Sequence, residues 1–144
     1  MALPRYNKNI QEMKKLILLL ICFYSITCSF CQTQTEVNED VNKKLVAVDK
    51  ELNETYQKIL IEYKEDTAFI KNLKASQRIW IKFRDAEVKM KYPDREPGYY
   101  GSTQTMCRTI CLTELTQSRI NILKVWLEGV EEGDVCSGSV KVKN

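Results

Sequence analysis

The sequence predicts an all-α fold: an elongated antiparallel bundle of three long helices followed by a loosely ordered C-terminal tail. Three observations predict it. Apolar residues from Val37 onward recur in steps of three and four over about seven helical turns. Two later segments of similar length repeat that spacing, and a short polar break and a Pro/Gly-rich stretch separate the three. No alternating strand pattern occurs outside Val140-Lys141-Val142, which is too short to count. The 144 residues suffice for one domain and not two.

Residues 1–31 read as a secretory leader. Lys14 and Lys15 form a positive n-region, Leu16 to Ile26 an apolar h-region, and Ser29-Phe30-Cys31 a site for cleavage before Gln32. Met13-Lys14-Lys15 is the natural opening of such a leader, so Met13 is the expected initiator. The apolar run reaches only about 16 residues, whereas a spanning helix needs about 20. No retained membrane span is therefore expected. Neither Cys28 nor Cys31 stands in a convincing lipidation box.

The first helix is expected from about Glu36 to Tyr63. Its stripe is Val37, Val41, Leu45, Val48, Leu52, Tyr56, Ile59 and Tyr63. Asp66 is placed to cap a second helix from about Thr67 to Lys91, because its carboxylate accepts the free N–H groups of a first turn. Pro93, Asp94, Pro97, Gly98 and Gly101 then interrupt regular structure. Ser102 or Thr103 is placed to cap a third helix, ending at Gly129 and carrying Met106, Ile110, Leu115, Ile122 and Trp126 as its apolar stripe, with Cys111 and Leu112 alongside. The mature domain is thus 32–128, with a flexible tail at 129–144.

The second helix holds the informative exception. At 100° per residue, Gln77 and Arg84 fall within about 60° of both Leu73 and Trp80, so an amide and a guanidinium point with the core. A buried arginine is costly unless it is paired and hydrogen-bonded. Asp49, beside Leu45 and Leu52 on the first helix, is the first candidate partner for Arg84. Asn53 and Gln77 complete a small polar network. Thr116 and Arg119 interrupt the third stripe in the same way. These six residues are expected to act as a structural polar clamp that fixes helix register, rather than as a binding groove.

Charge and composition exclude several function classes. The leader carries four basic residues and one acid, which leaves 18 basic against 18 acidic residues in 32–144. A neutral mature domain has no global field to attract nucleic acid or anionic lipid. The chain has no histidine, which removes the commonest general base and metal ligand. Cleavage would leave Cys107, Cys111 and Cys136, with no Cys-x-x-Cys among them, so no metal site is expected. An odd cysteine count permits one internal disulfide at most. The tail reaches Cys111 more easily than Cys107, which makes Cys111–Cys136 the candidate pair. No nucleophile–base pair is evident, and no cofactor is expected. The loop 92–102 offers Tyr92, Arg95, Tyr99 and Tyr100, residue types enriched at binding hot spots. Recognition and packing against the bundle end account for it equally well.

Three spaced motifs carry a family resemblance. They are Val48-Asp49-Lys50-Glu51-Leu52-Asn53 with Tyr56, Gln77-Arg78 with Trp80 and Arg84-Asp85-Ala86-Glu87, and Cys111-Leu112-Thr113-Glu114-Leu115-Thr116 with Arg119. In this order, over about Gln34 to Leu127, they resemble the small secreted proteins named after the lysozyme inhibitor LprI. The shared core positions are Leu52, Tyr56, Trp80 and Leu115. The resemblance implies an exported helical domain that sometimes inhibits lysozyme. It also implies cysteines where Asp40 and Val88 stand, so Cys111 lacks the family partner that Cys136 would replace. The expected function is a non-enzymatic binding protein of the periplasm or cell exterior, with a lysozyme as candidate partner and the cleft as its target. The alternative is a structural or scaffolding module of the envelope that docks a protein.

Overall fold

A computed structural model describes the backbone of residues 4–143, and the side chains of 13–15, 17 and 35–143. Three helices are present among the described residues: α1 (Pro4–Glu62), α2 (Thr67–Lys91) and α3 (Gln104–Glu128). The chain divides into two compact units, Met1–Glu39 and Asp40–Asn144. The first is helical throughout its described residues. The second contains the bundle. The fold is all-α, as the sequence predicts.

The end of α1 and both ends of α2 fall within a residue or two of expectation, but the start of α1 does not. Helical backbone begins at Pro4, not near Glu36. Between Arg5 and Tyr63 the sequence holds neither glycine nor proline, so nothing local stops a helix once formed. The expected cleavage point between Cys31 and Gln32 lies where side chains fall outside the description. Among the described residues, no helix is long and apolar enough to cross a membrane.

Asp66 caps α2, accepting a hydrogen bond from the Phe69 amide at 2.9 Å. Thr103 occupies the N-cap of α3, but its hydroxyl makes no capping bond. Gly129 closes α3 with φ at +78°, a conformation that costs glycine little.

The core is small. Leu52 and Ile59 of α1 meet Leu73 of α2 and Ile120 and Leu123 of α3. Around them pack Val48, Tyr56, Leu60, Tyr63, Phe69, Trp80, Trp126 and Leu127. Each fully buried Leu or Ile contributes roughly 1.5–3 kcal/mol. On α1 the buried face follows the predicted stripe, with Val37 left exposed at its start.

The predicted stripe of α3 requires correction. Its buried residues are Thr109, Cys111, Thr116, Ile120 and Leu123, whereas Ile110 and Ile122 are exposed and Leu115 is half-buried. Apolar residues occur all around α3, so spacing alone offered two faces. The threonines make the chosen face inexpensive. Thr109 and Thr116 donate their hydroxyls to the carbonyls of Thr105 and Leu112, at 2.9 and 2.8 Å, which satisfies them within the helix. Only their methyl groups then face the core.

The tail is also more ordered than expected. Val130 pairs with Val142 in an isolated parallel bridge, with Val130 N–H donating to Lys141 O and Lys143 N–H to Val130 O, each at 2.9 Å. The Trp126 indole N–H donates to Ser139 Oγ at 3.1 Å. Tyr63 Oη donates to Trp126 O at 2.9 Å and accepts the Lys141 amide at 3.1 Å. Lys141 also pairs with Glu62, and Lys143 with Glu131. The tail therefore folds back over the junction of α1 and α3.

The packing yields two expected outcomes. Ile120→Ala should cost about 2–4 kcal/mol in urea unfolding, while Ile122→Ala stays within about 0.5 kcal/mol. The reverse order would restore the face predicted from spacing. A Cβ at position 129 would stand 2.9 Å from Lys141 O, in a left-handed conformation. Gly129→Ala should therefore destabilise by roughly 1–3 kcal/mol and speed amide exchange in 130–143.

Candidate functional site

The polar residues singled out on α2 draw partners from both neighbouring helices. Gln77, Trp80 and Arg84 lie one turn apart on its inward side, and Arg84 is only 19 % exposed. Its Nη1 lies 3.4 Å from Asp49 Oδ1 on α1. Its Nε and Nη2 each lie 3.2 Å from Asp85 Oδ1, the next residue along. The 3.4 Å contact is long for a charge-assisted bond, and Asp49 is 45 % exposed. A pair of this kind contributes about 0–1 kcal/mol. It joins α1 to α2 at one point, beside the two bonds that Arg84 makes to Asp85.

The link to α3 is tighter. Arg119 Nε donates to Gln77 Oε1 at 3.0 Å, and Nη2 donates to Ser76 Oγ at 3.1 Å. Gln77 is buried, and burial also pulls the Arg119 pKa below the ordinary arginine value. The Arg84 and Arg119 guanidinium carbons lie 5.4 and 5.8 Å from the Trp80 ring centroid. Both fall within the range of cation–π attraction, about 6 Å. Trp80 is thus a shared surface for the two cations.

Asn53 does not join this network. It is exposed and makes no side-chain hydrogen bond among the described residues. Thr116 is completely buried, but its hydroxyl is spent inside α3, so it fills core and links no helices. A link between α1 and α3 that the sequence did not reveal is Lys124 Nζ to Glu51 Oε1, at 2.8 Å. The Glu51 carboxylate raises the Lys124 pKa, first through that hydrogen bond and then through its charge. Nothing in the spacing pairs residues 73 positions apart.

The 92–102 loop divides its tyrosines between support and display. Tyr100 donates its hydroxyl to Pro93 O at 3.0 Å, closing the loop on itself. Its ring meets Tyr92 and Tyr99 edge-on at 6.1 and 4.9 Å. Gly98 and Gly101, at φ +86° and +73°, make the turn, with the Gly101 N–H donating to Gly98 O at 3.0 Å. Tyr92 and Tyr100 are half-buried, whereas Tyr99 is 69 % exposed. The Arg95 guanidinium stands 5.8 Å from the Tyr99 ring centroid. Two rings buttress the loop and one is presented.

The expected Cys111–Cys136 pairing is not made. Cys107, Cys111 and Cys136 are free thiols, half-buried, buried and exposed respectively. The reason is geometric. The tail is held beside Trp126, about 22 Å along α3 from Cys111 at 1.5 Å per residue. Cys111 instead lines a cavity with Glu87, Met90, Lys91, Glu114 and Leu115. Among the described residues, no group of three or more His, Cys, Asp and Glu side chains could hold a metal ion.

The model of the family described as lysozyme inhibitor LprI matches residues 28–123. That is two thirds of the chain. The chain belongs to the LprI family. The LprI match takes in the cluster around Trp80 and the tyrosine loop, and it stops before Trp126 and the tail. An uncharacterized protein of Rhizobium meliloti (strain 1021) is 29 % identical over 115 residues, which cover 72 % of this chain and 81 % of the relative. No solved structure matches the chain.

Within this LprI bundle the two arginine links should differ in strength. A double-mutant cycle on Gln77→Leu and Arg119→Met should return a coupling of about 1–2 kcal/mol. The cycle on Asp49→Ala and Arg84→Met should return under about 1 kcal/mol. Equal couplings would place the two links in equivalent surroundings.

Proposed function

We propose that this chain is an exported, non-enzymatic binding protein that inhibits a lysozyme by covering its substrate cleft with the 92–102 loop. LprI membership supports the partner class. The observation that carries the choice of surface is the Tyr99–Arg95 pair, displayed on a loop whose other rings are packed. An exposed aromatic on a supported turn loses little freedom on docking, which is what a hot-spot anchor requires. In this reading the polar cluster around Trp80 holds the helices that carry the loop, and it makes no contact with the partner.

Export is part of the proposal. The leader is removed before Gln32 with Met13 as initiator, leaving a domain with equal numbers of acidic and basic residues. Docking then depends on shape and on the loop, with little long-range steering.

A muramidase assay on the secreted protein tests this, with its intact mass recording the cleavage point. Inhibition is expected, and Tyr99→Ala or Arg95→Ala should weaken it at least tenfold with Tm unchanged. Absence of inhibition at tens of micromolar, against lysozymes of several types, would refute the reading. Inhibition that survives both changes would move the contact away from the loop.

A further inference from the structure

We propose that a cavity between the first half of α2 and the second half of α3 binds a small molecule joining an aromatic-sized apolar group to one carboxylate. It lies at the opposite end of the bundle from the tyrosine loop, and it is independent of lysozyme binding.

The cavity has a volume of about 390 Å³. An apolar cavity of about 150 Å³ already accepts benzene, and small-molecule sites begin near 300 Å³. Phe69, Leu73, Leu123 and Trp126 form its apolar walls. The walls are preformed. Trp126 is fixed by its indole bond to Ser139 and by the Tyr63 hydroxyl on its carbonyl, and its ring stacks on Phe69 at 6.0 Å. A wall that is already ordered costs a ligand little to engage.

The polar end carries a charge without a counter-charge. Arg119 lines the cavity, and among the described residues no carboxylate lies within 4.0 Å of it. Arg84, by contrast, has two. The Arg119 partners, Gln77 and Ser76, are both neutral. They use two of its five N–H donors, leaving three. A partly desolvated cation beside an apolar wall gains most from an anion that comes with its own apolar body. The acidic lining residue Asp66 stands at the other end of the α2 stretch, ten residues before Ser76, or about 15 Å along the helix. Its carboxylate already caps α2 through Phe69. The field along the cavity therefore orients the ligand, with the carboxylate at Arg119 and Ser76 and the ring against Phe69 and Trp126. Trp126 and Ser139 lie beyond the family match, so this wall belongs to the C-terminal segment of this chain.

Phenylbutyrate is a suitable probe, followed through the Trp126 indole N–H signal in NMR. Saturable binding in the millimolar range or tighter is expected from a ligand of this size. Phenylbutanol, which keeps the skeleton and lacks the charge, should bind at least tenfold more weakly. Ala68→Trp fills the rim without touching the Arg119 contacts and should weaken phenylbutyrate at least tenfold at unchanged Tm. Arg119→Gln should also weaken phenylbutyrate at least tenfold, with a lower Tm because the bond to Gln77 is lost, and if it fails to fold, the alcohol and Ala68→Trp carry the test. No saturable shift, equal binding of the alcohol, or unchanged affinity in Ala68→Trp would each overturn the proposal.

Discussion

The bundle depends on one constraint: α2 turns an amide, an indole and a guanidinium toward its neighbours. Gln77, Trp80 and Arg84 occupy positions that aliphatic side chains would otherwise fill. A polar group taken out of water must find a partner or cost several kcal/mol. The partners come from both sides, Asp49 from α1 and Arg119 from α3. A shift of α3 by one turn, about 5.4 Å, would leave the buried Gln77 unpaired, and the same shift of α1 would take Asp49 from Arg84 and leave it only Asp85. Leucine and isoleucine contacts tolerate sliding far better, because dispersion and burial have no direction. The polar seam therefore adds directional bonds between helices to a core with few fully buried aliphatic residues.

The same logic explains how α3 buries two threonines without penalty. Their hydroxyls bond back to carbonyls four residues earlier, so the helix satisfies them and leaves methyl groups for the interface. At the far end, the Tyr63 hydroxyl does double duty, donating to Trp126 O and accepting the Lys141 amide. It joins the end of α1, the end of α3 and the returning tail in one contact. The bundle is thus held by directional bonds at two levels, the Trp80 cluster and the Tyr63 junction.

That division of labour leaves the two ends of the bundle free for different tasks. The 92–102 loop stands on a base of two packed tyrosines, and its exposed ring is positioned by its own arginine. Arg119 bonds to Gln77 and Ser76 on α2 but keeps donors unspent at the wall of an apolar cavity. A clamp and a recognition element need not be separate residues. The bonds to Gln77 and Ser76 hold the guanidinium in place, and a held guanidinium is a prepared anion contact.

The sequence by itself determined the helix count, the ends of α2, the Asp66 cap, the Gly129 stop and the inward face of α1 and α2. It also identified Arg84 with Asp49, because a charge on an apolar stripe demands a partner and few candidates face it. These are local or periodic properties, written every three or four residues. Tertiary structure decided the rest. It chose the threonine face of α3 over Ile110 and Ile122, since apolar residues ring that helix and only packing against α1 and α2 separates the options. It paired Lys124 with Glu51 and Arg119 with Gln77 across 73 and 42 positions, separations that no spacing rule spans. It anchored the tail at Trp126, which kept Cys136 from Cys111. Periodicity shows which way a side chain faces, but only the assembled helices determine what it meets.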